Sequence, residues 1–295
     1  MAFLTLLAKY ASDSLANNDP SFKQVRALNT PQKTEQIHTS IWQEEPEPDN
    51  PFAAKAAYCH GYDVYGELLG QARWIEMLFL LFRGEAPTDS QATLLDALAL
   101  ALANPGPRDP SVHAAMCGGV GGSTAASCLI AALSVGAGQL SGGREIYLSM
   151  ELWHACGTDL ATWHTRFATP ADTIASIWPT PAHPPGFDPH GVSTTTPVQQ
   201  TLARLAETSD APLLPWLQAN RLNLETAAGI PLAMSGVAAA AFVDLGFSPE
   251  QGEMLYLMLR LPGAAVHALE QKHLGYKKFP FFSIELENDP AKVTP

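Results

Sequence analysis

Trp74-Ile-Glu-Met-Leu-Phe-Leu-Leu-Phe-Arg-Gly84 is the stretch that decides the class of fold. Trp74, Met77, Leu78, Leu80 and Leu81 recur at the three- and four-residue spacing of one helix face. Gly84 ends that helix, and Pro87-Thr88-Asp89-Ser90 opens another. Leu94, Leu95, Leu98 and Leu102 then form a second amphipathic face, which Pro105-Gly106-Pro107 stops. Working outward, residues 156–167, 197–208, 212–218, 224–245, 249–261 and 263–274 all read as helices. Towards the N-terminus a short helical pattern turns polar. The acidic, proline-punctuated run from Trp42 to Pro51 reads as loop. Alternating β-branched patterns are nearly absent, so the expected architecture is all-α.

Residues 111–153 are unusually rich in Ala, Gly and Ser, with glycine pairs at 118–119 and 121–122. Small residues let helix backbones approach closely, so residues 125–137 are expected to form the most buried helix. A proline loop follows over residues 178–190. A rigid loop of that length inside a compact domain is often functional rather than a mere connection.

The 295 residues carry 17 Lys+Arg against 29 Asp+Glu, a formal net charge of −12. Only 16% are charged and 46% are hydrophobic, which excludes a disordered chain. The acidic balance speaks against nucleic acid as a partner, because neutralising phosphates needs basic side chains. Cys59, Cys117, Cys128 and Cys156 form no C-x-x-C pair and read as buried free thiols. The apolar N-terminus lacks the basic start of a secretory signal. The longest apolar tract, residues 229–243, is about 15 residues and is broken by Pro231 and Gly236, too short for a bilayer. A soluble cytoplasmic protein is expected.

Gly118-Gly-Val-Gly-Gly122 could cradle a phosphate at a helix start, or form a tight turn before a buried helix. No strand precedes it and no Gly-Lys-Ser/Thr follows, so nucleotide-loop readings fail. His154, Cys156 and His164 do not share one helix face, so no metal site is expected. Ala233-Met-Ser-Gly236 does not supply the Gly-x-Ser-x-Gly elbow of a serine hydrolase. What remains are helix-boundary elements around Ser141–Glu145, Pro184–His190, Asn223–Glu225 and Arg260–Gly263, where dipoles and side chains can converge on a ligand.

Those elements carry a resemblance. Gly61-Tyr62-Asp63-Val64, then Trp74-Ile-Glu76, then Leu80-Leu-Phe-Arg-Gly-Glu-Ala-Pro-Thr88 resembles the opening of the citrate synthase family. Residues 133–145 look like that family's buried helix ending in His-Gly-Gly-Ala-(Asn)-Glu. Asn223-Leu-Glu225 to Gly229, then Arg260-Leu-Pro-Gly263 and His267-Ala-Leu-Glu270-Gln271, resemble its C-terminal signatures. The length is nearer to citryl-CoA lyase-like and minimal synthase-like members.

The resemblance implies an all-α homodimer with a large helical domain (1–155 and 226–295) and a small one (156–225). It implies a coenzyme A thioester as co-substrate, a small oxoacid as partner, and no covalently bound cofactor. Members use two histidines and an aspartate. Here Ser141 stands where the first histidine would be. His190 is the nearest counterpart of the second, displaced by one residue, and the Asp-Pro-Arg that follows it in the family is missing. Glu225 occupies the aspartate position. Arg260 matches the carboxylate-binding arginine, with Arg144 and His267 as further substrate-binding candidates. Lys272, Lys277 and Lys278 are candidates for coenzyme A phosphates. Two readings follow. One is an enzyme making or breaking a C–C bond between an acyl-CoA and an oxoacid, with Glu225 as base, His190 as acid and Ser141 as enolate donor. The other is a catalytically altered protein that binds coenzyme A esters or serves as a regulatory or interaction subunit.

Overall fold

The computed structural model describes residues 37–169, 182–279, 282–284 and 286–287. The chain divides into two compact units, residues 1–96 and 97–295, with one helix running across the division.

In the first unit the expected loop at residues 42–51 is part of a small antiparallel sheet. Strand β1 (Trp42–Glu47) pairs with β2 (Asn50–Cys59), and β2 with β3 (Tyr62–Asp63). Pro46 is accommodated because β1 is an edge strand, Pro48 falls in the turn between the strands, and Pro51 sits at the start of β2. The register slips on both sides of Pro46. The β2–β3 turn is His60-Gly61, both with positive φ (47° and 90°). That backbone matches the twist of a two-residue hairpin. Asp63 then caps a single π-helical turn, Val64–Leu68, by accepting from the amides of Tyr65 and Gly66. Cys59, Leu68 and Leu80 form a buried cluster beneath it.

Helix α1 (Trp74–Arg83) buries Ile75, Leu78, Phe79 and Leu80, and ends at Gly84 in the left-handed conformation (φ 75°). The helix expected over 74–84 forms, but its buried face is shifted: Trp74 is 70% exposed, and Ile75 and Phe79 take the core positions beside Leu78 and Leu80. Helix α2 (Asp89–Leu102) crosses the unit boundary.

The second unit continues with α3 (Pro110–Val120), α4 (Ala125–Gly136), α5 (Gly143–Cys156) and α6 (Leu160–Ala168). It closes with α7 (Thr196–Thr208), α8 (Leu213–Ala228), α9 (Met234–Asp244) and α10 (Pro249–Leu274). Helices α3, α4, α5 and α10 pack on one another, and α9 packs against α5 and α8. Trp153, Trp163 and Trp216 stack where α5, α6 and α8 meet.

Three expectations change. The most enclosed helix is α9, with every residue from Val237 to Phe242 fully buried. In α4 only Cys128, Ala132 and Gly136 are buried, and Ile130 and Val135 face outward. Small residues did bring helices close, but over one face only. Next, the chain breaks after Ala228, where Gly229 caps α8 in the left-handed region, rather than near residue 220. Finally, α10 is one 26-residue helix with Pro262 inside it. The local disruption is absorbed by a partner outside the helix: Gly263 donates its N–H to Ala103 O at 2.8 Å. A Cβ at position 263 would lie 2.7 Å from Asn104, so glycine is needed for this approach.

Gly118 and Gly119 fall within the last turn of α3, not at a helix start, so they offer no phosphate cradle. Gly119 instead permits contact with the Ala268 carbonyl. Among the described residues no group of three His, Cys, Asp or Glu side chains is placed to hold a metal. Among them too, no helix is long and apolar enough to cross a membrane.

Candidate active site

Three connections meet within the second unit: the turn before α5, the loop of residues 182–195 before α7, and the 229–233 turn between α8 and α9. Backbone bonds join the last two. Ala233 N–H donates to Gly186 O (3.0 Å) and Asp188 N–H to Pro231 O (2.8 Å), flanking a bridge between Phe187 and Leu232.

Ser141 holds the turn before α5, with φ at +55°. A non-glycine residue pays for that conformation, and it persists only where surroundings over-determine it. Here they do. Its N–H donates to the Glu145 carboxylate. Its carbonyl accepts from Arg260 Nη1 (2.9 Å) and from the Tyr256 hydroxyl (3.3 Å). Burial, with help from Glu145 and Asp109 and against Arg260, pushes the Tyr256 hydroxyl up to about 12, so it stays a donor. The Ser141 residue itself is exposed, at the mouth of α5, whose N-terminus has no side-chain cap.

Glu145, 1% exposed, ties this turn to the neighbouring loop. Oε1 accepts from Gly186 N–H (2.9 Å) and from Ser235 Oγ (2.9 Å), while Oε2 takes the Ser141 amide. Gly186 has φ +89° and meets Gly236 so closely that a Cβ would lie 2.9 Å from Gly236 Cα.

Glu225, in the last turn of α8, accepts from Arg221 Nη1 through both oxygens (2.8 and 2.9 Å). It also accepts from the buried Thr194 hydroxyl and, at 3.4 Å, from Leu232 N–H. Thr194 Oγ1 in turn accepts from Leu232 N–H at 3.1 Å. Glu225 is therefore a half-buried, ion-paired carboxylate on the 182–195 loop's far side.

Of the residues singled out from sequence, Ser141 and Arg260 are in direct contact, and Glu225 bonds to the loop that Glu145 anchors to the Ser141 turn. Arg260 is buried and engaged on both sides, by Ser141 O and by Asp109, which also caps α3. His190 is exposed in a turn where its amide donates to Asp188. His267 lies elsewhere on α10, near Asn104 (3.3 Å) and Glu270 (3.3 Å). Arg144 lies over the Tyr147 ring, 4.0 Å from its centroid. Lys272 lines an apolar cavity of about 130 Å³ with Gly119, Cys128 and Leu269, and Lys277 and Lys278 are exposed in the turn after α10. Asp109, Arg221, Thr194 and His183 had drawn no role from sequence. The partners of Asp109, Thr194 and His183 lie 31 to 151 residues away, beyond any local pattern, whereas Arg221 pairs with Glu225 at i,i+4 on one helix.

Comparison with solved structures decides the architecture. Citryl-CoA lyase from Hydrogenobacter thermophilus superposes with a TM-score of 0.65 at 17% identity, covering 88% of this chain and 98% of that one. The chain has the citrate synthase-like fold. ATP citrate lyase from Methanothrix soehngenii, solved with citrate and coenzyme A, gives 0.61 at 18% identity over 93% of this chain but 44% of its own. Citrate synthase from Thermoplasma acidophilum, in a ternary complex with carboxymethyl coenzyme A and oxaloacetate, gives 0.54 at 18% identity. That match covers 76% of this citrate synthase-like chain and 59% of the synthase. No family model and no curated protein matches the sequence.

Proposed function

We propose that this citrate synthase-like protein forms or cleaves a C–C bond between an acyl-CoA and a small oxoacid, through an enolate. The observation that carries the reading is Ser141: a strained, exposed serine pinned by Glu145, Arg260 and Tyr256 where the family motif calls for a catalytic histidine. In the condensing direction Glu225 takes the thioester α-proton. The Ser141 hydroxyl donates one hydrogen bond to the enolate oxygen, with the uncapped amides of α5 beside it. The enolate carbon attacks the oxoacid carbonyl and His190 protonates the alkoxide, leaving a coenzyme A thioester that releases free thiol only when water hydrolyses it. Cleavage runs these transfers backwards. For Arg260 to clamp a carboxylate, the substrate must replace Asp109, which arginine's fork geometry suits. Arg144 and His267 assist substrate binding, and Lys272, Lys277 and Lys278 meet coenzyme A phosphates. These cations supply the local positive charge that two anionic substrates need on a chain of net charge −12.

On this reading residues 1–155 with 226–295 act as the large domain and 156–225 as the small one. The glycines at 157 and 229, both with positive φ, flank the small domain's helices. The working form is a homodimer joined through the exposed apolar face of α4. The free thiols of Cys59, Cys117, Cys128 and Cys156 suit a cytoplasmic location.

A second reading, a coenzyme A ester-binding or regulatory protein, draws on a specific observation: Glu225 and Arg260 are both already ion-paired. One experiment separates the two. Mix the protein with acetyl-CoA in deuterated water, with and without a panel of oxoacids, and follow α-proton exchange and thiol release. Citryl-CoA serves for cleavage. Turnover that falls about 100-fold or more in Glu225→Gln supports the enzyme. Binding of the thioester without exchange or turnover supports the alternative. Exchange indifferent to Glu225→Gln sinks the base assignment.

A further inference from the structure

Glu145 is enclosed with three hydrogen-bond donors, and all three are neutral: two backbone amides and the Ser235 hydroxyl. Water is excluded from it, so a charged carboxylate there lacks the counter-ion that burial normally demands. The His183 ring packs beside it. Its Nε2 lies 3.9 Å from Glu145 Oε1, too long for a hydrogen bond. The His183 side chain is 7% exposed, and neither ring nitrogen has a hydrogen-bond partner among the described residues. A buried imidazole with both nitrogens unpaired is uncommon in native proteins and calls for an explanation.

The two groups are halves of one contact. His183 and Gly186 belong to the same loop and converge on the same oxygen, Oε1, at 3.9 and 2.9 Å. The other oxygen, Oε2, holds the Ser141 amide. A movement of about 1 Å would bring the imidazole within hydrogen-bond distance of the carboxylate. That bond would hold the carboxylate in its present rotamer, and with it both loops.

We propose that His183 is a positioning residue: by closing on Glu145 it fixes the Ser141 turn and the 184–190 loop in a single mutual geometry. It does not touch substrate. The competing view is that its ring only fills space. The inference rests on the proposed C–C chemistry for its kinetic readout, and on hydrogen exchange for a readout independent of that chemistry.

The test uses the full chain with His183→Leu, His183→Gln, Glu145→Gln and the double variant His183→Leu/Glu145→Gln. Amide hydrogen exchange is measured at Ser141 and Gly186, with the amides of α9 as the control for folding. His183→Leu is expected to lower protection at those two amides about tenfold and to leave α9 unchanged. His183→Gln, which keeps an N–H donor, is expected to recover most of it. The double variant is expected to be no worse than Glu145→Gln, since the effect passes through Glu145. In α-proton exchange of the thioester, kcat is expected to fall about tenfold in His183→Leu with KM changed less than about twofold. Unchanged protection in His183→Leu, or effects that simply add in the double variant, would overturn the proposal. Should His183→Leu fail to fold, His183→Gln against the shorter His183→Asn gives the same comparison. If protection behaves as expected but the wild type exchanges no α-proton, the clasp stands and the reaction assignment fails. If the wild type reacts and His183→Leu is indifferent in both readouts, the clasp alone fails.

Discussion

Arg260 donates to the carbonyl oxygen of Ser141 at 2.9 Å while its other terminal nitrogen binds Asp109, so a side chain from the last helix fixes a strained turn 119 residues earlier. The same guanidinium lies 4.7 Å from the centroid of the Tyr256 ring, whose hydroxyl reaches the same carbonyl. Fold stability and site geometry are coupled at this point: the ion pair that orders α3 against α10 also holds Ser141 out of its preferred conformation.

Replacing Ser141 by glycine removes the steric cost of a positive φ but keeps every backbone bond to the turn. The expected gain is about 1 kcal/mol, or about 2–4 °C in melting temperature for a chain of this size. On the proposed reading, in which Ser141 donates to the enolate, thioester α-proton exchange is expected to fall. Calorimetry and kinetics on the same sample check both. A melting temperature at or below that of the wild type would mean that the turn is not strained.

Removing one member of the buried Arg260–Asp109 pair leaves the other uncompensated. Arg260→Met and Asp109→Leu are each expected to cost about 3–5 kcal/mol in urea unfolding. The double variant is expected to cost less than the sum, since no lone charge remains. Additive losses would show that the two residues act separately, with Arg260 holding Ser141 and Asp109 capping α3.

Much of this was legible in the sequence. Trp74–Arg83 and the leucines of α2 are periodic over several turns, and long periodic segments are the most readable element type. Arg260 and Ser141 were marked by their neighbours in the chain, Pro262-Gly263 and Gly142-Gly143. The sheet was missed because Pro46 in β1, Pro48 in the turn and Pro51 at the start of β2 make a hairpin look like a loop. Thr194, His183 and the Arg260 contact of Asp109 were missed for another reason. Each acquires its role from a partner brought close only by folding, whereas Arg221 sits four residues before Glu225 on one helix and was open to a local reading. Glu145 was visible as a motif residue, but its burial between two loops was not.

Asp244 offers a pH-dependent test away from the site. Its carboxylate accepts from the amides of Leu213 and Leu214 at the start of α8, yet burial pushes its carboxyl above the ordinary range, outweighing those bonds. The folded state then binds this proton more tightly than the unfolded one. Its contribution to stability is full below the unfolded-state value and is lost as pH rises through the folded-state value. Lowering the pH from neutral towards about 4 is therefore expected to stabilise the wild type relative to Asp244→Asn. Urea midpoints for both proteins across that range check the sign, and parallel curves would contradict it.

Helix α4 carries no charged residue, and Ile130 and Val135 are 60% and 47% exposed, with Leu140 just beyond the helix at 62%. An uncharged helix covered on one face only leaves an apolar strip, and such strips on soluble proteins mark interfaces. Helix α10 adds exposed Met254, Met258, Val266 and Leu269 beside it in the same unit. On the proposed reading a second copy covers it, because a two-fold contact presents one patch to itself. Ile130→Lys is expected to leave secondary structure and thioester binding by the single chain intact, since position 130 is open to solvent there. Sedimentation should show two-chain mass for the wild type and single-chain mass for the variant at micromolar concentration. A wild type that sediments as one chain at that concentration would rule out this face as a dimer contact.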